Sequence, residues 1–320
     1  VGARERVAED RGGGAVRVER IPSDDRAAWL ANRKQDVTAS EIAALFGSHP
    51  YRTAYQVFAD KTGAGVDIGD NAAMRRGRIL EPAVAEAWFE ERGERLVKCH
   101  SYLRSPEHRI GATPDYERLC GEPVEMKTVA PEKWDEWKEA PPIAYQLQAL
   151  VQAMLMDAPR AWIAVMVDNR AKDFRVFEVP RHPAAEAKII ANVAAFWRAV
   201  AAGEPPAPDY ARDGAAIAAM FPRDNGEVLD LSTDNRLPEL LARRAELKAK
   251  IIAAEAEAEA IDAELKDKIG AASEATLPGW KITFKAQTRP ERVVAASTFR
   301  VLRVTDTTKP KGRKAKELAL

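Results

Sequence analysis

The 320-residue chain is long enough for one large domain or two smaller ones, and its 46% hydrophobic content supports a real core. Lys plus Arg equals Asp plus Glu, 49 each, so a nucleic-acid surface would have to be local rather than global. No run approaches the ~18 apolar residues of a membrane span, and the first 20 residues lack the apolar centre of a secretory signal.

Two cysteines, Cys99 and Cys120, are too few for a four-thiolate zinc or iron–sulfur site, and His49, His100, His108 and His182 show no metal-ligand spacing. Free thiols in a reducing cytoplasm are the expectation. Residues 1–20, with Gly12-Gly13-Gly14, read as a flexible leader. Ser23 is placed to cap a helix running to about Asn32. Thr38 to Gly47 predicts a short helix: Thr38 and Glu41 have capping-box spacing and Gly47 is a C-terminal stop. Thr38 and Ser40 read either as caps or as hydroxyls that hold a phosphate at a helix N-terminus.

Tyr51 to Lys61 predicts a further helix, and Asn71 to Arg92 the longest early one. Arg75, Arg76 and Arg78 form either a DNA path or a solvated face, with Arg76 and Arg78 beside Glu81 as candidate phosphate contacts. Pro82 cannot donate a backbone hydrogen bond, which predicts a kink or a fresh helix start next to Glu81. Leu96 to Leu103 reads as one strand.

The stretch from Gly111 to Lys127 carries the chemistry. Cys120-Gly121-Glu122-Pro123 is a turn between two short strands. Side chains i and i+2 share a strand face, so Glu125 and Lys127 point together and Met126 points away. The turn folds Asp115 back beside Glu125. Two carboxylates so close repel unless a cation lies between them or one takes a proton. A hard divalent ion uses oxygen ligands of this kind, and could activate water and neutralise a phosphate oxygen. The bland alternative is a surface hairpin with solvated charges.

Beyond it, Trp134 and Trp137 lie in a loop, where they could stack on bases or pack on their own domain. Ala144 to Met156 predicts a helix on which Gln148 and Gln152 share a face while Gln146 lies elsewhere. Trp162 to Val167 and Phe174 to Val179 predict a strand pair turning at residues 168–172, closed by a helix over Ala184 to Ala202. A Pro-rich run from Gly203 to Pro208 ends the domain.

Residues 206–236 read as a linker, and residues 237–305 as a long helix with a small β segment. Leu240, Leu247, Ile251, Ala254, Ala258, Ile261 and Leu265 follow a near-heptad stripe, which suits self-pairing, packing on its own chain, or docking on a partner. Trp280 to Lys285 alternates as a strand, with Phe299 to Val304 as its candidate partner. Residues 306–320 are a basic tail expected to be disordered.

Pro114-Asp115 followed by Glu125-x-Lys127 resembles the PD-(D/E)XK nuclease signature. Arg33-x4-Thr38-Ala39-Ser40, Gly77-x3-Glu81-Pro82 and Gln146-Leu147-Gln148 stand in the order found in the lambda-exonuclease-like (YqaJ-type) phage recombination nucleases, and the resemblance spans about residues 25–205. It implies an α/β fold: a restriction-endonuclease-like core over residues 21–205, with a central mixed sheet flanked by helices and the C-terminal helix and β segment appended.

The resemblance further implies a Mg2+ site, open to Mn2+ as well, formed by Asp115, Glu125, the Met126 carbonyl and Glu81. Lys127 and Gln146 would orient water, with Gln148 the second choice for the glutamine. Arg33 and Ser40, beside Thr38, would hold a DNA 5′-phosphate. The implied activity is 5′-to-3′ digestion of duplex DNA, with a single-strand annealing protein as partner and a homo-oligomer, a trimeric ring being one form. The rival readings are a structure-selective or nicking endonuclease on the same core, and a catalytically silent DNA-binding or assembly module.

Overall fold

The computed structural model describes residues 16–306, except residues 24, 67–68, 70, 168–169, 292–295 and 297. The expected leader up to residue 15, the tail from residue 307 and the centre of the turn at residues 168–169 lie outside the described residues. The chain divides into two compact units, Val1–Pro222 and Arg223–Leu320.

The first unit is mixed α/β, as expected. It opens with β1 (Glu19–Pro22), α1 (Arg26–Gln35), β2 (Val37–Thr38), α2 (Ala39–Leu45), α3 (Ala54–Lys61) and α4 (Ala72–Arg92). Four strands follow: β3 (Val97–Lys98), β4 (Ser101–Ser105), β5 (Ile110–Ala112) and β6 (Tyr116–Glu117). Then come β7 (Pro123–Val129), a 3-10 turn over Pro131–Trp137, α5 (Ile143–Met156), β8 (Arg160–Val167), β9 (Arg170–Pro180), α6 (Pro183–Ala202) and α7 (Gly214–Met220).

One sheet has the order β3-β6-β7-β8-β9 and the other β1-β4-β5-β2. β7 and β8 run parallel, with Glu125 opposite Ile163 and Lys127 opposite Val165. Parallel neighbours need a crossover, and α5 supplies it. Both faces of this strand pair are covered, which is why its residues are almost all buried. Val124, Met126, Trp162 and Ala164 pack with Val84 and Trp88 of α4. Ile163, Val165 and Val129 face the other core, which includes Val151 and Leu155 of α5 and Val193 of α6.

Several local expectations changed in the tertiary structure. Asp25, not Ser23, caps α1: its carboxylate accepts from the amides of Ala27 and Ala28. α4 runs unbroken through Pro82 rather than restarting there. The single strand expected over Leu96 to Leu103 is two, because β3 pairs with β6 and β4 pairs with β1 and β5, in different sheets.

The expected linker contains α7, whose Ala216 is buried against Tyr55 and Ala59 of α3. Asp213, fully buried, accepts from the Thr53 hydroxyl at 2.6 Å and ties this segment to the first unit.

In the second unit α8 (Leu237–Ile269) is continuous over 33 residues. β10 (Glu274–Leu277) pairs with β11 (Trp280–Thr283) across Pro278-Gly279, where Gly279 takes φ +79°. Phe299 to Val304 forms no strand, and the hairpin partner is the nearer segment 274–277. A two-residue loop brings that segment into register with little loss of chain entropy.

Candidate active site

The β6–β7 hairpin sets the centre of the site. Tyr116 pairs with Val124 and Glu117 with Pro123, and Gly121 turns the chain at φ +87°. Asp115, just before β6, thereby lies next to β7, and its Oδ2 accepts the Met126 amide at 2.8 Å. Glu125 and Lys127 share the opposite face from Met126, and their side chains form an ion pair.

Glu125 is 3% exposed. Its Oε1 accepts from Gln148 Nε2 at 2.6 Å and its Oε2 from Gln152 Nε2 at 2.5 Å. Both glutamines come from one face of α5, four residues apart. The Gln152 carbonyl oxygen is buried without a hydrogen-bond partner.

Burial raises the Asp115 carboxyl most, the charge of Glu125 adds to it, Lys127 opposes it, and the group is pushed up to about 8. For Lys127 burial works to lower the ammonium, but Glu125 and Asp115 outweigh it and hold it above the ordinary lysine value. The arrangement therefore keeps a protonated cation beside two carboxylates that crowd one another.

These groups line a cleft of about 810 Å³, whose walls include Arg76, Arg78 and Glu81 of α4 and Tyr145 of α5. Glu81 is turned to Lys98, its ion-pair partner at 2.5 Å. Among the described residues no group of three or more His, Cys, Asp or Glu side chains is close enough to hold a metal ion. The available hard oxygen donors are thus Asp115, Glu125 and neighbouring carbonyls, a set that suits an ion retaining several waters and engaging substrate phosphate.

Residues 28–158 match the family model described as the YqaJ-like viral recombinase domain. YqaJ of Bacillus subtilis (strain 168) is 23% identical over 254 residues, covering 75% of this chain and 77% of that protein. A protein of Acanthamoeba polyphaga mimivirus is 26% identical over 101 residues, covering 31% of this chain and 18% of that protein. Among solved structures, an alkaline exonuclease from Laribacter hongkongensis aligns with 24% identity and a TM-score of 0.47, covering 60% of this chain and 98% of that one. A phage-related exonuclease from Haemophilus somnus aligns with 15% identity and a TM-score of 0.40, covering 52% and 93%.

The matched residues 28–158 include Asp115, Glu125, Lys127, Gln148 and Gln152, but not every residue singled out in the sequence joins them. Gln146 donates to the Pro141 carbonyl at 2.6 Å and does not reach Glu125. Arg33, Thr38 and Ser40 do not line the large cleft. Arg33 stacks over the Trp29 ring at 4.5 Å and lines a separate cavity of about 480 Å³ with Glu41, Arg52 and Lys61. The Thr38 and Ser40 hydroxyls are 3.1 Å apart at the start of α2. Trp137 is buried with its ring 4.9 Å from Tyr145, and Trp134 is half-buried under Arg175, so both pack on their own domain.

Sequence reasoning missed Gln152 as a site residue. Its four-residue spacing from Gln148 was the available signal, but only the azimuth of α5 on β7 reveals that both amides converge on Glu125. Tyr145 was also missed, with its ring 5.2 Å from the Lys127 ammonium.

Proposed function

We propose that the chain is a divalent-metal-dependent deoxyribonuclease, acting as a 5′-to-3′ exonuclease on duplex DNA in phage-type recombination. One observation carries this reading: Asp115, Glu125 and Lys127 converge on the wall of a cleft that also presents Arg76 and Arg78. The Asp115–Glu125 pair fits Mg2+ or Mn2+ by its donor chemistry: burial first, and then the charge of Glu125, push Asp115 up to about 8, and a cation between the two would relieve their repulsion. A bound ion would supply Lewis-acid neutralisation of phosphate charge and a more acidic water.

The protein's own residues account for the rest. Gln148 and Gln152 hold the Glu125 carboxylate in one orientation. Lys127 stays protonated, so it serves as a hydrogen-bond donor that orients water or steadies negative charge on phosphate, rather than as a base. Arg76 and Arg78 are suited to the phosphates of the strand entering the cleft. Arg33 and Ser40, outside the cleft, are assigned to the terminal phosphate. The reading carries with it duplex DNA as substrate, a single-strand annealing protein as partner, a ring-shaped homo-oligomer and action in the cytoplasm. Among the described residues no helix is long and apolar enough to cross a membrane.

The test is digestion of linear duplex DNA labelled at the 5′ or 3′ end, beside a closed circle, with Mg2+ or Mn2+ and with chelator. Early 5′ label release that needs the metal and is lost in Asp115→Asn and Lys127→Ala supports the proposal. Cutting of the circle replaces it with an endonuclease. Metal-dependent activity unaffected by both substitutions refutes the site.

A further inference from the structure

We propose that α8 pairs with α8 of a second copy of this chain as an antiparallel two-helix coiled coil. All 33 residues of this helix escape burial, and Leu240, Leu247, Ile251 and Ile261 are 44–54% exposed. Their 3-4 spacing makes a seam rather than the broad apolar face of a helix lying on a core. Leu241 and Ile252 lie outside the seam.

The order of residues along the seam reads the same from either direction. From Leu247 to Leu265 it runs Leu, Ile, Ala, Ala, Ile, Leu. If two copies are laid antiparallel about a dyad between Ala254 and Ala258, Leu247 meets the partner's Leu265 and Ile251 the partner's Ile261. Ala254 then meets the partner's Ala258. Large side chains match large and small match small, and the alanines at the centre allow the helices to approach closely. A second copy is therefore self-complementary to this face, as a two-fold interface requires.

The flanking charges select the direction. In this register Lys248 faces the partner's Asp262 and Lys250 faces the partner's Glu264, each pair occurring twice. Glu255 and Glu257 face their own copies across the dyad, and Arg244 and the partner's Lys268 share the outermost layer. In a parallel pair Lys250 would still face Glu255. However, Arg243 would face Lys248, Glu257 would face Asp262, and Arg244 would meet Arg244 in the core. Flanking charge sets orientation in coiled coils: the antiparallel pair balances its attractive and repulsive neighbours, whereas in the parallel pair the repulsive ones outnumber the attractive. Lys250 now pairs with Glu246 and Glu264 with Lys268 along the same helix. These are exposed i,i+4 pairs of small worth, so exchanging them across the seam costs little.

The test uses the full chain with Cys99 and Cys120 changed to Ser. Lys250→Cys and Glu264→Cys chains, mixed and oxidised mildly, form a 250–264 disulfide between chains in the antiparallel pair. In a parallel pair these positions lie about 21 Å apart along the axis and do not link. Separately, sedimentation of Lys248→Glu/Lys250→Glu should show association weakened by about 100-fold. Adding Asp262→Lys and Glu264→Lys to the same chain should restore it. Absence of the 250–264 link, a link between two Ile251→Cys chains instead, or association unchanged by the charge reversal would overturn the proposal. Association only with a different protein would do so as well.

Discussion

Replacing Glu41 with Gln should destabilise the first unit severely, although the side chain keeps its shape. Glu41 is 5% exposed in α2. Its carboxylate accepts from the Thr38 amide at 2.9 Å, Arg52 Nη1 at 3.0 Å and Lys61 Nζ at 2.8 Å. The Lys61 side chain is itself only 4% exposed, and its ammonium also donates to the Arg33 carbonyl at 2.9 Å. With Gln at 41, the Lys61 ammonium stays buried beside two arginines and loses the carboxylate it is hydrogen-bonded to.

Stranding a buried charge costs ~3–5 kcal/mol, against a total stability of ~5–15 kcal/mol. At ~2–4 °C per kcal/mol for a unit of this size, Tm should fall by ~6–20 °C. Glu41→Gln/Lys61→Met removes the stranded charge and should recover most of the loss, giving a large coupling in the double-mutant cycle. Burial alone would raise the Glu41 carboxyl, but Lys61 and Arg52 outweigh it and hold it below the ordinary 4.5. A depressed carboxylate contributes stability above its unfolded value and loses it as pH falls through the folded one. The gap between wild type and Glu41→Gln should therefore be full at pH 7 and close only below about pH 4.5.

Urea unfolding followed by tryptophan fluorescence suits the measurement, since six of the seven tryptophans lie in the first unit. A loss under ~1 kcal/mol at pH 7, or a double mutant as unstable as the two single losses summed, would refute the reasoning.

Three further outcomes follow from the same geometry. Gln152→Leu removes a donor to the buried Glu125 carboxylate, and should cost ~1–3 kcal/mol in chemical denaturation; it should also lower nuclease turnover by ~10-fold or more with little change in KM. A stable, fully active variant would remove Gln152 from the site. Mg2+ or Mn2+ should raise the wild-type Tm in scanning calorimetry with a saturable dependence, and Asp115→Asn should abolish that rise; an equal rise in both would place the ion elsewhere. Gly111→Ala would drive its new Cβ into the Tyr102 ring and hydroxyl, whose hydrogen bond to buried Asp36 spans 3.0 Å. Overpacking there should cost ~1–3 kcal/mol or more by the same denaturation measurement, and an unchanged midpoint would contradict the tight approach of β4 and β5.

Features written by neighbours in the chain were legible in the sequence. The turn at Gly121 and the two-residue period of a strand are local, and together they put Asp115 beside Glu125 and Lys127 on the same face. The β8–β9 pair and α6 carry strong apolar patterns, and they form where those patterns predict. The helix over residues 237–269 follows equally from its periodic alanine, leucine and charge pattern.

Features that depend on how elements meet were not legible. A run of alternating residues cannot say which strand it will pair with, so Leu96 to Leu103 gave no sign that its two halves serve different sheets. Spacing placed Gln148 and Gln152 on one face of α5, but only the packing of that helix on β7 turned that face to Glu125 and left Gln146 on the Pro141 carbonyl. Glu81 found Lys98, seventeen residues away, and Glu41 found Arg52 and Lys61 from other segments. Hydrogen bonds and ion pairs act over about 3 Å, and the contacts that decide them here are between residues that the chain's local pattern leaves independent.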